Sequence, residues 1–212
     1  MKNIVILNAS PRKNGFCKTY VDLEIERLNN TDIDIEFNIE ILNIYDLNIE
    51  CCTDCGYCEH KKGCRIDDDM TKIYKILDKM DVLLVVSPVY FNSVPAKFKI
   101  LIDRLQAVYN SKYKLNDSMI DRTKKRLGAI KLFGGQKPDE KQFDSSIDII
   151  CSFFKAINTH IEDITCLSNT EIYRNNINKE IYKKMNTESF VDSTLIKINN
   201  NYYTTFSIYK II

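Results

Sequence analysis

The apolar positions of the chain fall into two patterns. Some are short unbroken runs: Lys2–Asn8 carries Ile4, Val5, Ile6 and Leu7 in succession, 82–86 reads Val-Leu-Leu-Val-Val, and 127–133 ends in Phe133 ahead of Gly134 and Gly135. Such runs predict strands buried on both faces, as in a parallel sheet, and 161–167 predicts a weaker one. Others recur at helical spacing: Phe16–Asn29, the stretch from Met70 through Ile73, Tyr74 and Leu77, 96–109 with Phe98, Leu101, Ile102 and Leu105 inward, 140–158, and a short piece at 178–185. Pro95 suits the first helical position, and Asp67, Asp68 and Asp69 are acids at a helix start.

One strand differs. Residues 32–41 alternate strictly, Ile33, Ile35, Phe37, Ile39 and Ile41 against acids and Asn38. One face is wet, so this strand belongs at a sheet edge. Strands alternating with helices predict an α/β fold of three layers, with five parallel strands in the order 2-1-3-4-5 and helices on both faces. In that order ligands sit beyond the carboxyl ends of the strands, at the switch between the first and third. Residues 110–125 are polar and predict a loop. Residues 187–212 fall outside the pattern: 194–198 and 202–212 flank Asn199-Asn200-Asn201, which predicts a C-terminal β-hairpin extension to a domain over 1–186.

Composition narrows the function classes. A net charge of +1 over 212 residues gives no bulk electrostatic reason for a nucleic-acid or membrane-surface partner. No apolar run approaches the roughly 18 residues needed to span a bilayer, and no signal peptide is recognisable, so a cytoplasmic protein is expected. Cysteine is the unusual entry: of eight, five lie between Cys51 and Cys64. In a chain of this class that density points to metal or redox chemistry before disulfides.

Three loops at the carboxyl edge carry candidate ligand groups. The first, 9–19, joins a strand to a helix through Ser10-Pro11-Arg12-Lys13-Asn14-Gly15-Phe16-Cys17. Its amides and the helix N-terminus suit an anion, Ser10 adds a hydroxyl and Arg12 a fork for phosphate. It is neither a Walker loop nor a dinucleotide fingerprint. The second loop carries Pro88, Val89, Tyr90, Phe91 and Asn92; the third carries Gly134 and Gly135.

The cysteine stretch reads Cys52-x-x-Cys55-x-x-Cys58, with Cys64 six residues on. This spacing lets three thiolates converge while a fourth closes the site. Four readings stand: a [4Fe–4S] cluster, a Zn²⁺ site on the same ligands, a redox dithiol, or thiols that merely pack. Cys17, Cys151 and Cys166 fall in or beside regular elements and read as core or loop thiols. His60 and His160 have no partner pattern for a catalytic dyad, and the acids at 67–69 read as a helix start rather than a metal site.

Together, Ser10–Gly15, the cysteine spacing ending in Asp68-Asp69-Met70, and Ser87-Pro88-Val89-Tyr90-Phe91-Asn92 continuing to Asp103-Arg104 resemble the NADPH-dependent FMN reductase family of the flavodoxin-like fold, and within it the iron–sulfur flavoprotein branch. The resemblance implies FMN with its phosphate on Ser10, Arg12, Asn14, Gly15, Phe16 and Cys17. Its ring would lie against Pro88, Val89, Tyr90, Phe91 and Asn92, with Gly134 and Gly135 at the far side. It implies a [4Fe–4S] cluster on Cys52, Cys55, Cys58 and Cys64. It also implies NAD(P)H as co-substrate, a small-molecule acceptor or redox carrier protein as partner, and a homodimer or tetramer. No side chain is expected to act as a catalytic acid or base. Cys17 stands where the family usually has Ser or Thr, and the C-terminal extension lies outside the resemblance.

Overall fold

The computed structural model describes residues 1–30, 36–137, 139, 141–173, 197–198 and 201–202. Five strands, β1 (Lys2–Asn8), β2 (Phe37–Asn43), β3 (Val82–Pro88), β4 (Arg126–Phe133) and β5 (Thr159–Leu167), form one sheet in the order β2-β1-β3-β4-β5. All four pairings are parallel. Six α-helices are seen among the described residues: α1 (Phe16–Asn29), the single turn α2 (Tyr57–His60), α3 (Met70–Lys79), α4 (Ala96–Arg104), α5 (Gln106–Tyr113) and α6 (Asp144–Ala156).

Alternation along the central strands sorts the core into two halves. Ile4, Ile6, Leu84, Val86, Ala129 and Phe133 pack against Tyr20, Val21 and Leu28 of α1. Val5, Leu7, Leu83, Val85, Ile130 and Leu132 pack against α3, α4 and α6 through Leu77, Phe98 and Phe154. This is the three-layer arrangement expected from the pattern, and the flavodoxin-like fold that the resemblance implies. β2 is the wet edge strand, although it lies at Phe37–Asn43; residues 31–35, on which part of its predicted span falls, are outside the described residues.

The predicted helix 96–109 departs from expectation. It breaks at Leu105 and resumes as α5, reaching Tyr113 into the stretch read as loop. The carbonyl of Arg104, which would accept the next helical hydrogen bond, instead accepts from the Tyr74 hydroxyl at 2.7 Å. Leu105 N–H bonds back to Ile102 in a tighter turn. The helix predicted over 140–158 begins later than its pattern, at Asp144, because the Asp139 carboxylate takes the Lys141 amide and the Asp139 carbonyl takes the Gln142 amide, making a separate turn.

Of the predicted hairpin, the described residues include two short antiparallel strands, β6 (Lys197–Ile198) and β7 (Asn201–Tyr202). The rest of it, the predicted helix at 178–185 and the boundary at 186/187 lie outside the described residues. No helix among the described residues is long and apolar enough to cross a membrane.

Candidate functional site

At the carboxyl ends of β1, β3 and β4 the loops enclose a cleft of about 870 Å³, within the usual size of a small-molecule site. Its first wall is the β1–α1 loop. Ser10 N–H donates to Asn8 Oδ1 at 3.2 Å, and the Ser10 hydroxyl accepts from Arg12 N–H at 3.2 Å, so the serine organises the turn itself. Gly15 N–H closes a turn onto the Arg12 carbonyl at 3.4 Å. A Cβ on Gly15 would lie 2.8 Å from Arg12 Cβ, so this close approach requires glycine. The N-cap of α1 is Gly15, which has no side chain to bond the first-turn amides, and no acid stands in that turn, so this end suits an anion. Ser10, Arg12, Phe16 and Cys17 line the cleft; Asn14 and Gly15 belong to the same loop but do not line it. Cys17 is buried, and burial pushes its thiol up to about 12 despite a hydrogen bond with Ser10 and the charge of Arg12. It enters the wall as a neutral group.

The second wall is a tight hairpin after β3. Tyr90 and Ser93 exchange both backbone hydrogen bonds, at 2.9 and 3.0 Å. Phe91 and Asn92 at its tip both adopt left-handed backbone, φ 50° and 57°, the pair of angles a two-residue type I′ turn needs. Phe91 is thereby held fully in solvent at the rim, although a bulky side chain rarely adopts this conformation. Pro88, Val89, Tyr90, Phe91 and Asn92 all line the cleft.

At the third loop Gly135 lines the cleft and Gly134 lies behind it, where a Cβ would fall 2.4 Å from Gln142 Nε2. Gln142 is buried, accepts from the Ser168 hydroxyl at 2.6 Å and reaches the cleft wall. Sequence reasoning missed Gln142, Lys99, Thr170 and Glu171. The last two follow β5, and the sheet order itself brings that loop beside the third. Thr170 N–H donates to the Gly134 carbonyl at 3.0 Å, and Glu171 faces Arg12 at 3.8 Å across the cleft mouth.

The cysteine loop forms a second site. Cys52, Cys55, Cys58 and Cys64 line one small cavity of about 30 Å³ together with Arg104, Gln106 and Asn110. Cys51 is exposed and outside it. Gly56 (φ 70°) and Gly63 (φ 99°) take left-handed turns that bring the segment back on itself. The Cys55 thiol is held below its ordinary value, chiefly by the Tyr57 amide, with the Arg65 charge helping it to outweigh the opposing effect of burial. Cys58 Sγ accepts from Asn110 Nδ2 at 3.2 Å. Surface pairs Lys114–Glu59 (2.7 Å) and Lys62–Asp117 (2.6 Å) tie the loop to α5 and the segment after it. Among the described residues, no three His, Cys, Asp or Glu side chains are grouped tightly enough to hold a metal ion. The donor set, four thiols on one cavity with N–H groups turned to two of them, nevertheless fits in kind a group bound by four thiolates.

The parallel sheet in this order, with a glycine-containing loop and a helix start after its first strand and a cleft at the switch point, defines a flavodoxin-like α/β protein. The chain belongs to the NADPH-dependent FMN reductase family, whose profile matches residues 2–135. It is 35% identical over 105 residues to an iron-sulfur flavoprotein of Archaeoglobus fulgidus, covering 50% of this chain and 46% of that protein. It is 29% identical over 131 residues to an iron-sulfur flavoprotein of Methanosarcina thermophila, covering 62% of each. The matches thus span about half to three-fifths of these relatives. Among solved structures, NAD(P)H:quinone oxidoreductase from Methanothermobacter marburgensis shares the fold with a TM-score of 0.62 at 14% identity, over 86% of this chain and 89% of that one. An FMN-dependent NADH-azoreductase from Bacillus anthracis, in complex with FMN, gives 0.57 at 16% identity, over 87% and 96%.

Proposed function

We propose that this protein is an FMN-dependent oxidoreductase that moves electrons between NAD(P)H, or a reduced carrier, and an acceptor, with a [4Fe–4S] cluster on Cys52, Cys55, Cys58 and Cys64. The observation that carries the flavin reading is the cleft at the carboxyl ends of β1, β3 and β4, with Arg12 and the start of α1 at one end and the Tyr90–Ser93 hairpin at the other. The family membership and the FMN in the azoreductase neighbour support it. Flavin supplies hydride and single-electron chemistry when bound, and the protein positions it. Ser10, Arg12 and the amides of 14–17 would hold the phosphate. Tyr90 and Phe91 would flank the ring, and the glycines at 134 and 135 would admit it closely. Cys17, kept neutral by burial, would add no negative charge beside the phosphate.

The cluster reading rests on the shared cavity of the four thiols and on the relatives' name. A cubane spreads its cysteine sulfurs more widely than a single ion does, so thiols that line one cavity without closing on a point suit it better than zinc. A homo-oligomer belongs to the same proposal.

The test is anaerobic purification followed by a visible spectrum with iron and acid-labile sulfide assays. Flavin bands, a broad shoulder and about four irons per chain are expected. A colourless protein that cannot retain added FMN overturns the flavin reading. Flavin bands without iron after reconstitution leave a flavin reductase whose exposed Cys52 and Cys55 do thiol chemistry instead.

A further inference from the structure

Resting on the cluster reading above, we infer that Asn110 is a positioning and tuning residue of the cysteine site: its side-chain amide donates an N–H···S hydrogen bond to Cys58 and so sets the reduction potential of a cluster held there. Asn110 lies on α5, in no part of the cysteine motif, and its side chain is almost fully buried at 1% exposure. Its Nδ2 stands 3.2 Å from Cys58 Sγ, and it lines the same cavity as the four thiols.

The orientation of the amide is over-determined. Gln106, one turn earlier on the same helix, donates its Nε2 to Asn110 Oδ1 at 3.3 Å. That contact occupies the oxygen and turns the N–H side to the sulfur. A ligand thiolate can accept but not donate, so the same orientation is the only one the sulfur tolerates. The neighbouring backbone is held as well, because the Asn110 carbonyl accepts from the Lys114 and Leu115 amides at 2.9 and 3.0 Å.

A hydrogen bond to a ligand sulfur draws electron density from it. The more negative, reduced state of a cluster gains more from this than the oxidised state, so the potential rises. Arg104 and Gln106 also border the cavity, but Arg104 donates to backbone carbonyls and Asp68, and Gln106 to Asn110.

The experiment is an anaerobic redox titration of the iron-loaded protein, read by visible and electron paramagnetic resonance spectra, in the wild type, Asn110→Leu and Gln106→Ala. Iron content and midpoint potential are measured on each. Asn110→Leu should keep its iron but titrate at a lower potential. Gln106→Ala, an exposed position that does not threaten folding, should shift it the same way by a smaller amount because the amide is released rather than removed. The flavin potential should not move in either. Wild type that takes up no iron overturns the cluster reading and this inference with it. Loaded wild type and loaded variants with one common cluster potential overturn the inference alone, and should Asn110→Leu not fold, Gln106→Ala at the wild-type potential does so by itself.

Discussion

The carboxylate of Asp68 and the guanidinium of Arg104 meet at two points, Nη1–Oδ2 at 2.6 Å and Nη2–Oδ1 at 3.1 Å, with both side chains out of solvent. Arg104 also donates to the carbonyls of Glu50 (2.7 Å) and Ile66 (3.4 Å), and Asp68 accepts the amides of Glu50 (2.9 Å) and Met70 (3.0 Å). Glu50 precedes the cysteine loop and Ile66 follows it. The pair therefore pins both ends of that loop to the end of α4, and it does so with a planar fork that a lysine could not reproduce.

Removing one partner leaves the other charged and buried. Arg104→Leu should cost about 3–5 kcal/mol in urea unfolding, and Arg104→Lys less, because the charge stays. Burial alone would raise the Asp68 carboxyl, but Arg104 and the two amides outweigh it and hold the group below its ordinary value. A depressed folded value means the unfolded chain binds the proton first. The contribution is thus complete above about pH 4, the unfolded value, and is lost as pH falls through the folded one. Asp68→Asn should flatten the acid limb of the stability profile; an unchanged limb would count against the clamp.

Lys112 predicts the opposite limb. It is buried, and its ammonium donates to the Ala156 carbonyl at the end of α6 and to Asn158, with no carboxylate paired to it among the described residues. Burial, reinforced by the charges of Arg122 and Arg126, pushes it down to about 8. Between that value and the unfolded one near 10.4 the unfolded chain holds the proton and the native one does not, so stability rises with pH across this window. Lys112→Met should remove the rise, measured by thermal unfolding at stepped pH.

The sheet order and the cleft were legible because they follow from long buried runs and from loops that must fall at one edge. Ten of the thirteen residues expected around the flavin line the cleft, since side chains next to strand ends have nowhere else to go. What was hidden depended on distant partners. The break at Leu105 needs the Tyr74 hydroxyl, thirty residues earlier, to capture a carbonyl. Asn110 reaches Cys58 only because α5 continues through a polar stretch that periodicity alone reads as loop. Glu171 enters the cleft through the turn after β5, a position with no motif of its own.

Gly128 marks a packing constraint that sequence gives no hint of. A Cβ there would lie 2.2 Å from Cε2 of Phe154 and 2.9 Å from Cγ2 of Thr159, beside a register shift in the β4–β5 ladder. Phe154 is fully buried and has no room to swing. Gly128→Ala should destabilise by about 1–3 kcal/mol through overpacking, and adding Phe154→Leu should return part of the loss. Additive losses in the double variant, measured by denaturant midpoints, would mean the ring is not the obstacle.

Arg12 and Glu171 face each other across the mouth of the proposed phosphate site with about half of each side chain in solvent, 52% and 47%. A pair this wet is worth little to the fold, so its consequence is for the ligand. Arg12 is the cation suited to a phosphate, and Glu171 places a negative charge beside the same spot. Losing a charged hydrogen bond costs about 1.5–3 kcal/mol, so Arg12→Ala should weaken FMN roughly 10–100-fold. Glu171→Gln should tighten it by about 2–5-fold at low salt, with the gain fading as salt screens the exposed carboxylate. Riboflavin, which lacks the phosphate, provides the control: its affinity should follow neither substitution. The measurement is flavin fluorescence titration of both ligands on all three proteins. An Arg12→Ala protein that loses riboflavin and FMN equally would place the guanidinium's role in shaping the loop rather than in meeting the phosphate.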